Sequence, residues 1–444
     1  EADAGEEGQC DATDKGCHLD TGSLQWKPKT LSVVLPCAGE GEFARKTVQS
    51  VSKSVPGGSG GEILANIVVV DDGSKPPLSE KHLPKKFREK YMVNLIRNEK
   101  TVGLIRAKSQ GAKGALGDII VFFDCHVAPQ KGWYKEFLRE SAENYRRIVV
   151  PQITDLDIDT WTERNRHLGS SKCYLTWDAD FKWFTSTRSE MPVLSGGLLG
   201  ISRRWWNETG GYDEGMQGWG GENIDQSLRT WLCGGEIKSL SKAFVAHMWR
   251  VPHDPRTLTR YSVNVRHTIQ NRVRAALGWF DGFAEKLQHY PDMRSVPAKG
   301  QEMSAFRAVR ERLGCRPFAW FLWRFRDVYE DAGLLPNVTF RIRHRASDSC
   351  LTYLGPAGTH PQGSDSVELQ PCGQVARSRK WPHSPPDPQR WHLANQEPQT
   401  GRCCSGLRLW STDQCLGFGR GPAGGPSTAV CDVAGRSGPA GLSG

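Results

Sequence analysis

The chain has 444 residues, 38% of them hydrophobic, and 58 Lys and Arg against 49 Asp and Glu give a formal net charge of +9. The sequence has no run of ~18 apolar residues of the kind that forms a membrane-spanning helix. It also has no block of positive charges that would indicate binding to nucleic acid. A globular protein of two domains is expected, since one hydrophobic core rarely serves so long a chain.

The first 27 residues are acidic and rich in Gly, which predicts a stem outside any core. The chain starts with neither Met nor an apolar leader. We therefore expect any contact with a membrane to depend on an anchor that is absent from this chain.

Short β-branched runs alternate with helical patterns over the next hundred residues. Strands are predicted at 31–36, 65–73, 93–98 and 118–124, and helices at 42–55 and 103–116. This alternation predicts an α/β, Rossmann-like, doubly wound parallel sheet. Such sheets bind ligands beyond the carboxyl ends of their strands.

Carboxylates follow two of these predicted strands. Asp71 and Asp72 close the second, where they could cap a turn or accept hydrogen bonds from a uracil or ribose. Asp124 and His126 close the fourth and point the same way along an extended segment. They could form a local cap or salt bridge, or they could bind a divalent cation such as manganese.

The stretch GGYDEGMQGWGGENIDQSLRTWLCGG, 210–235, is the most distinctive in the chain. Trp219 precedes two glycines and could cover a ligand, while Glu222 and Asn223 open a predicted amphipathic helix. Glu222 could cap that helix or contact sugar hydroxyls. A second glycine pair, Gly196 and Gly197, lies in SGGLLG at 195–200.

Three polar side chains follow another strand-like run in AFVAHMWRVPHDP. His247 could be structural or a third metal ligand, and we expect the second role only in company with Asp124 and His126. Arg250 and His253 have the chemistry to face a diphosphate.

The composition changes after about residue 335, where short strand-like pieces are separated by Gly, Pro and polar turns. These pieces are CLTYL at 350–354, VELQPC at 367–372, QRWHL at 389–393 and CLGFG at 415–419. An all-β module is predicted there, joined through EDAGLLPN. Six of the 13 cysteines fall in this tail, a density that favours disulfides and an oxidising compartment.

Nine blocks in order along the chain together resemble the polypeptide N-acetylgalactosaminyltransferases. They read SVVLPCAGE, VVVDDGS, RNEKTVGLIRAKSQGA, FFDCHVAP, VLSGGLLGISRRWW, GWGGENIDQSLRTWLCGG, HMWR, QNRVRAALGWFDGF and LGCRPFAWFL. The resemblance implies a nucleotide-diphospho-sugar transferase domain of the GT-A kind at 28–330. A linker at 331–338 and a ricin-type β-trefoil lectin domain at 339–444 would follow it.

The resemblance also implies residue roles. Asp124, His126 and His247 would bind Mn²⁺; Asp71 or Asp72 would hold the uridine; Arg106, Arg250 and His253 would contact the donor; Gly196, Gly197, Glu222 and Asn223 would lie at the GalNAc; and Trp219 would belong to a mobile loop. Cys233 and Cys315 match a pair that the family joins. The implied reaction is retaining transfer of GalNAc from UDP-GalNAc to Ser or Thr of polypeptides, in the Golgi lumen, with no nucleic acid partner.

Some segments depart from the family pattern. Residues 36–40 read PCAGE, where the family has Thr, an aromatic, His and Asn before Glu. Pro255 stands near an expected Tyr, and a cysteine expected shortly before His247 is missing. In the tail, Gln389-Arg390-Trp391 fits a ricin repeat, but the module is short for three repeats.

Two alternatives stay open at this point. The same fold could use another UDP-sugar, or the chain could be a non-catalytic homologue that binds glycans or peptides. Glu222 is the fallback candidate for a nucleophile if transfer proceeds by double displacement, although front-face attack is the preferred mechanism.

Overall fold

The structure is a computed structural model that describes residues 24–166, 172–258, 263–297, 301–334, 340–344, 347, 349–353, 367–371 and 429–433. The chain divides into two compact units, Glu1–Phe325 and Arg326–Gly444. The division falls a few residues before the predicted end of the catalytic segment at 330. No helix in the described ranges has the length and apolar character needed to cross a membrane.

The first unit is built on a nine-stranded sheet with helices against it. Its strands are β1 Leu31–Cys37, β2 Leu64–Asp72, β3 Val93–Asn98, β4 Ile119–Phe122, β5 Val127–Pro129, β6 Arg147–Asp157, β7 Thr162–Asn165, β10 Leu199–Ser202 and β11 Glu236–His247, and β8 Lys172–Leu175 pairs with β9 Phe181–Phe184 in a separate hairpin. The helices are α1 Glu42–Lys53, α2 Leu78–Lys81, α3 Lys85–Lys90, α4 Leu104–Lys113, α5 Tyr134–Glu143, α6 Arg203–Thr209, α7 Glu222–Leu232, α8 Val265–Trp279, α9 Pro291–Arg294, α10 Ser304–Arg312 and α11 Phe318–Arg324. Two 3₁₀ segments span Pro255–Thr257 and Asp281–His289.

The sheet order is β3-β2-β1-β4-β10-β6-β11-β5, with β7 against β6. The four predicted strands are β1 to β4 and run parallel to one another. The sheet as a whole is mixed and not parallel throughout, because β10 is antiparallel to both β4 and β6. Because β10 runs opposite to the strand on each side of it, β6 and its parallel partner β11 point the same way as β4 and β1.

The central strands β1, β2 and β4 are almost wholly buried, as their unbroken apolar runs predict. Helix α4 covers β1 and β2 closely because Gly111 faces Val34 and Val70 without a side chain of its own. The buried core on the other face gathers aliphatic residues of β1, β2 and α1 with Phe123, Trp133 and Phe137. This packing fixes the strand ends from which the site is built.

The second unit contains α12 Arg326–Asp331 and a four-stranded sheet. Its strands are β12 Phe340–His344, β13 Ser349–Tyr353, β14 Val367–Pro371 and β15 Ala429–Val433, in the order β14-β13-β12-β15. The predicted strands around 350 and 367 are confirmed. Gln389-Arg390-Trp391 and Cys415 lie outside the described residues, and the β-trefoil lectin domain stays a prediction.

Candidate active site

A large cavity opens at the carboxyl ends of the parallel strands, where a ligand is expected in an open α/β sheet. Its volume is about 1090 Å³. Eleven of the residues singled out by the sequence line it: Asp72, Arg106, Asp124, His126, Gly196, Gly197, Trp219, Glu222, Asn223, His247 and Arg250. Asp71 and His253 are not among its lining residues.

Three potential metal ligands meet in this cavity. One ligand atom each from Asp124, His126 and His247 lies within 4.8 Å of the other two. Asp124 and His126 follow the end of β4, and His247 is the last residue of β11. The sheet order therefore brings together side chains that are more than 120 residues apart in the chain.

The protonation states of this cluster suit a cation. Nε2 of His247 lies 3.0 Å from Oδ2 of Asp124. Burial alone would raise the pKa of Asp124, but the hydrogen bond and charge of His247 outweigh it and hold that pKa below its usual range. Burial lowers the pKa of His247, so the imidazole stays neutral near pH 7. An ionised carboxylate and a neutral imidazole are the forms that bind a metal.

The potential ligand atoms of this cluster suit manganese. One carboxylate and two imidazoles combine hard oxygen with borderline nitrogen, which suits Mn²⁺ and similar divalent ions. Nδ1 of His247 is buried and has no hydrogen-bond partner among the described residues, so one ring nitrogen is free to coordinate a metal ion. The residues present fit the ion that the resemblance implies.

Glu40 supports this cluster from the loop after β1. Its Oε1 lies 3.3 Å from Nδ1 of His126 and accepts a hydrogen bond of 2.7 Å from Nη2 of Arg250. Burial would raise the pKa of Glu40, but the bonds and charges of His126 and Arg250 lower it below the usual value. Glu40 thus orients both His126, a candidate metal ligand, and Arg250, the residue predicted to face a diphosphate.

The glycine-rich loop before α7 carries Trp219 on the cavity wall. The Trp219 side chain is 44% exposed, and the loop is fixed through its carbonyl, which accepts a hydrogen bond from Thr268. Gly221 has φ of +84°, and a Cβ there would lie 2.8 Å from the backbone of Asn271, so only glycine fits at the start of the helix. The loop therefore presents a large aromatic ring to the ligand space.

The first residues of α7 lie deeper in the cavity. Glu222 is 3% exposed, and its Oε2 has no hydrogen-bond partner in the described part of the chain. Burial raises the pKa of Glu222. Nδ2 of the neighbouring Asn223 donates to the carbonyl of Leu194, so its amide group also holds the opposite wall. Glu222 is the group better placed to meet a polar ligand.

Gly197 lies directly against the metal cluster. A Cβ at this position would come within 2.9 Å of Oδ2 of Asp124. Behind it, the buried Lys108 donates from Nζ to the carbonyl of Gly196 at 2.6 Å. The glycine pair thus lets the backbone approach Asp124, and Lys108 holds it there.

The predicted nucleotide contacts separate into two groups. Both carboxylate oxygens of Asp71 serve the turn, since they accept from the amides of Ser74 and Leu78, and Oδ2 also pairs with Arg97. Asp72 lines the cavity, although its oxygens accept from the amides of Val102 and Gly103. Of the two carboxylates, Asp72 alone lines the cavity.

Arg106 and His253 are both exposed, and Arg106 alone of the two lines the cavity. Arg250 is held by Glu40 and by the carbonyl of Thr257, which accepts from Nη1 at 2.9 Å. The structure therefore brings Arg106 and Arg250 to the ligand space and leaves His253 outside it.

Sequence reasoning missed several residues of the cavity. Glu40, Phe181, Trp183 and Trp249 line it, and Lys108 supports it from below. Glu40 follows the end of β1, and Asp72 is the last residue of β2, so the strand-end rule could have identified Glu40 as well. The aromatic residues carry no such signal in the sequence.

Two disulfides lie among the described residues of the first unit and stabilise it. The bridge between Cys233 and Cys315, implied by the resemblance, is present at the end of α7. A second bridge joins Cys37 at the end of β1 to Cys125, the residue between Asp124 and His126. The sequence did not predict this second pairing.

Two protein families match the part of the chain that carries this cavity. Residues 32–209 match glycosyl transferase family 2, and residues 184–254 match the N-terminal domain of galactosyltransferase. Residues 32–209 are therefore similar to family 2 glycosyltransferases. This segment contains the predicted strands, the acidic strand ends and the glycine pair at 196–197.

Individual proteins that are similar to this chain are named polypeptide N-acetylgalactosaminyltransferases. Polypeptide N-acetylgalactosaminyltransferase 10 of Mus musculus is 32% identical over 361 residues, 76% of this chain and 57% of that protein. Polypeptide N-acetylgalactosaminyltransferase 4 of Caenorhabditis elegans is 30% identical over 380 residues, covering 82% of this chain and 60% of that protein. The chain thus spans little more than half the length of the curated relatives it matches.

A solved structure of GalNAc-T7 with UDP, GalNAc and Mn²⁺ is similar to this one. The TM-score is 0.59 at 27% sequence identity, over 78% of this chain and 65% of that chain. The likeness supports a GT-A-like architecture.

Proposed function

We propose that this chain is a manganese-dependent, retaining polypeptide N-acetylgalactosaminyltransferase. It would transfer GalNAc from UDP-GalNAc to Ser or Thr hydroxyls of polypeptides. The observation that carries the proposal is the meeting of Asp124, His126 and His247 within 4.8 Å in the strand-end cavity. The similarity to a protein solved with UDP, GalNAc and Mn²⁺ supports the choice of donor and metal.

Asp124, His126 and His247 would hold the Mn²⁺. When bound, the ion supplies positive charge to the diphosphate, which gains negative charge as the anomeric C–O bond breaks. Arg250 would add a guanidinium to the same oxygens, already oriented by Glu40. Charge placed where it develops in the transition state is the differential binding that accelerates a reaction.

Glu222 and the glycine pair would hold the sugar. Burial raises the pKa of Glu222 and so increases the share of its neutral carboxyl group, which can donate a hydrogen bond to a sugar hydroxyl and is not a nucleophile. This favours front-face attack by the acceptor hydroxyl over a covalent intermediate on Glu222. The acceptor's proton would leave late, toward the departing phosphate.

The acceptor and the compartment belong to the same proposal. We place the protein in the Golgi lumen, and the two disulfides of the first unit accord with an oxidising compartment. Polypeptide acceptors follow from the names of the similar proteins.

The test is transfer from UDP-GalNAc to a Thr-containing peptide, with MnCl₂ and with EDTA. The proposal expects glycopeptide with an α-linked GalNAc in the manganese arm alone. UDP-GlcNAc and UDP-glucose are offered in parallel, and faster transfer from either would select another UDP-sugar. Manganese-dependent UDP binding by calorimetry, without transfer or hydrolysis of any donor, would instead indicate a binding protein.

A further inference from the structure

The Cys37–Cys125 disulfide lies where the backbone pairing of two central strands ends. β1 and β4 pair in parallel up to Val34 opposite Phe122, and the amide of Phe123 makes a last hydrogen bond to the carbonyl of Val34. Three residues further along each strand, Cys37 and Cys125 have their Cα atoms 5.3 Å apart. The bridge thus continues the register of the sheet by a covalent bond.

The segment tied by this bridge carries two of the three candidate metal ligands. Cys125 is the single residue between Asp124 and His126. Between Phe123 and the start of β5 at Val127, the described structure gives this backbone one hydrogen bond, from the amide of Met248 to the carbonyl of His126. β5 is only three residues long and pairs with the end of β11. Between these two anchors, the disulfide is the covalent restraint on the backbone of both ligands.

The other end of the bridge belongs to the loop that carries Glu40. Cys37 is the last residue of β1, and Glu40 lies three residues later against His126 and Arg250. One bond therefore ties the loop that orients His126 to the segment from which His126 projects. The bridge is buried on both sides, with Cys37 0% and Cys125 1% exposed, while its residues line the cavity.

We propose that the Cys37–Cys125 disulfide positions Asp124 and His126 for binding a divalent cation. The inference rests on the metal site of the proposed function and deepens it. The family resemblance does not imply this bridge, because residues 36–40 are where the chain departs from the family. Cys37 lies within this divergent segment, so the sequence change and the bridge are linked. In this chain a cysteine pair supports the metal ligands.

The chain offers a matched control for the test. Cys233 and Cys315 form a bridge with a sequence separation of 82, against 88 for Cys37 and Cys125, and neither lines the cavity. Removing either bridge frees a loop of similar length in the unfolded chain, so both losses cost similar stability. Only one of the two should affect metal binding.

The experiment measures the Kd for Mn²⁺ alone by calorimetry on the full chain. C37S/C125S is expected to bind Mn²⁺ about tenfold or more weakly than the unsubstituted protein, as is typical when support of a metal ligand is lost. C233S/C315S is expected to bind it within about twofold of the unsubstituted protein. Should the serine pair not fold by circular dichroism, Cys37→Val with Cys125→Ala fills the same space with apolar atoms and is judged by the same criterion.

Equal Kd values for the unsubstituted protein and the cavity variant would overturn the inference, as would an equal loss in both disulfide variants. This result is separate from the activity test. Protein that binds Mn²⁺ but transfers no sugar contradicts the proposed function, and a weakened Kd in C37S/C125S alone would still support the positioning role.

Discussion

Asp124 is the residue on which the chemistry of the cavity depends, because it is the one carboxylate of the metal cluster. Its Oδ2 lies 3.0 Å from Nε2 of His247, and Gly197 has no side chain to keep the backbone away from it. A neutral amide has the same shape but lacks the charge that attracts a divalent ion. The substitution Asp124→Asn therefore tests charge with little change in volume.

We expect Asp124→Asn to weaken Mn²⁺ binding by more than about 100-fold, beyond the loss typical of residues that only support a ligand. Isothermal titration of Mn²⁺ measures this directly. Asp159→Asn is the control, because Asp159 is exposed, pairs with Arg256 and does not line the cavity. An equal affinity in Asp124→Asn and Asp159→Asn would remove Asp124 from the metal site.

Trp219 belongs to the same scale but to another step. Its ring is 44% exposed, so Trp219→Ala should change the free energy of unfolding by no more than about 0.5 kcal/mol. If the ring covers the bound donor, transfer falls at least about tenfold, or about 1.4 kcal/mol of transition-state stabilisation, while the Kd for UDP changes little. Trp219→Phe should recover part of the rate.

Calorimetry with UDP and initial rates of transfer measure the two effects separately. Equal losses in UDP binding and transfer would contradict a role of Trp219 in covering the donor.

Among single elements, helix α4 sets the distance between the sheet and the floor of the cavity. It carries Arg106 and Lys108 on its first turns and meets β1 at Gly111. A Cβ at Gly111 would lie 2.2 Å from Cγ1 of Val34 and 3.3 Å from Cγ2 of Val70. Neither valine can move away, because both are completely buried in central strands.

Gly111→Ala should therefore destabilise the protein by about 1–3 kcal/mol, as overpacking of a core usually does. Urea denaturation followed by tryptophan fluorescence measures the change. Gly282→Ala is the matched control, because nothing lies within 4 Å of its added Cβ, and its effect should stay within about 0.5 kcal/mol. A Gly111→Ala protein as stable as Gly282→Ala would show that α4 can move off the sheet at little cost.

The elements also show how far the sequence can predict the fold. β1 to β4 and the helices between them follow from unbroken apolar runs and helical spacing, and the strand-end rule led to Asp72 and Asp124. β6 and β10 were not predicted, because their sequences are of mixed polarity. The antiparallel direction of β10 also depends on which strands meet in space. Asp71 and His253 have the residue types expected of ligand contacts but do not line the cavity. The carboxylate of Asp71 instead accepts a hydrogen bond from the turn at Ser74.

At the scale of the first unit, two disulfides close loops of 88 and 82 residues and should stabilise it to a similar degree. We expect C37S/C125S and C233S/C315S each to lose about 2–4 kcal/mol of unfolding free energy. Urea denaturation of both variants measures the losses side by side. A cavity bridge that contributes nothing to stability while it controls metal affinity would contradict the equal contribution expected here.

The pairing of Cys37 with Cys125 could not be derived from the sequence, because thirteen cysteines allow many pairings and only the register of β1 against β4 selects this one. The pair Cys233 and Cys315 was within reach because the resemblance implies it. Residues from β1, β2, β4, α7 and β11 contribute to a single cavity, and this convergence is a property of the folded unit as a whole.

The most direct measurement of the central claim is an anomalous difference map from a crystal soaked in MnCl₂ and UDP, recorded at the manganese edge. We expect one peak within coordination distance of a carboxylate oxygen of Asp124 and of one ring nitrogen each of His126 and His247. A manganese peak elsewhere, or UDP bound in the cavity with no manganese beside these three residues, would contradict it.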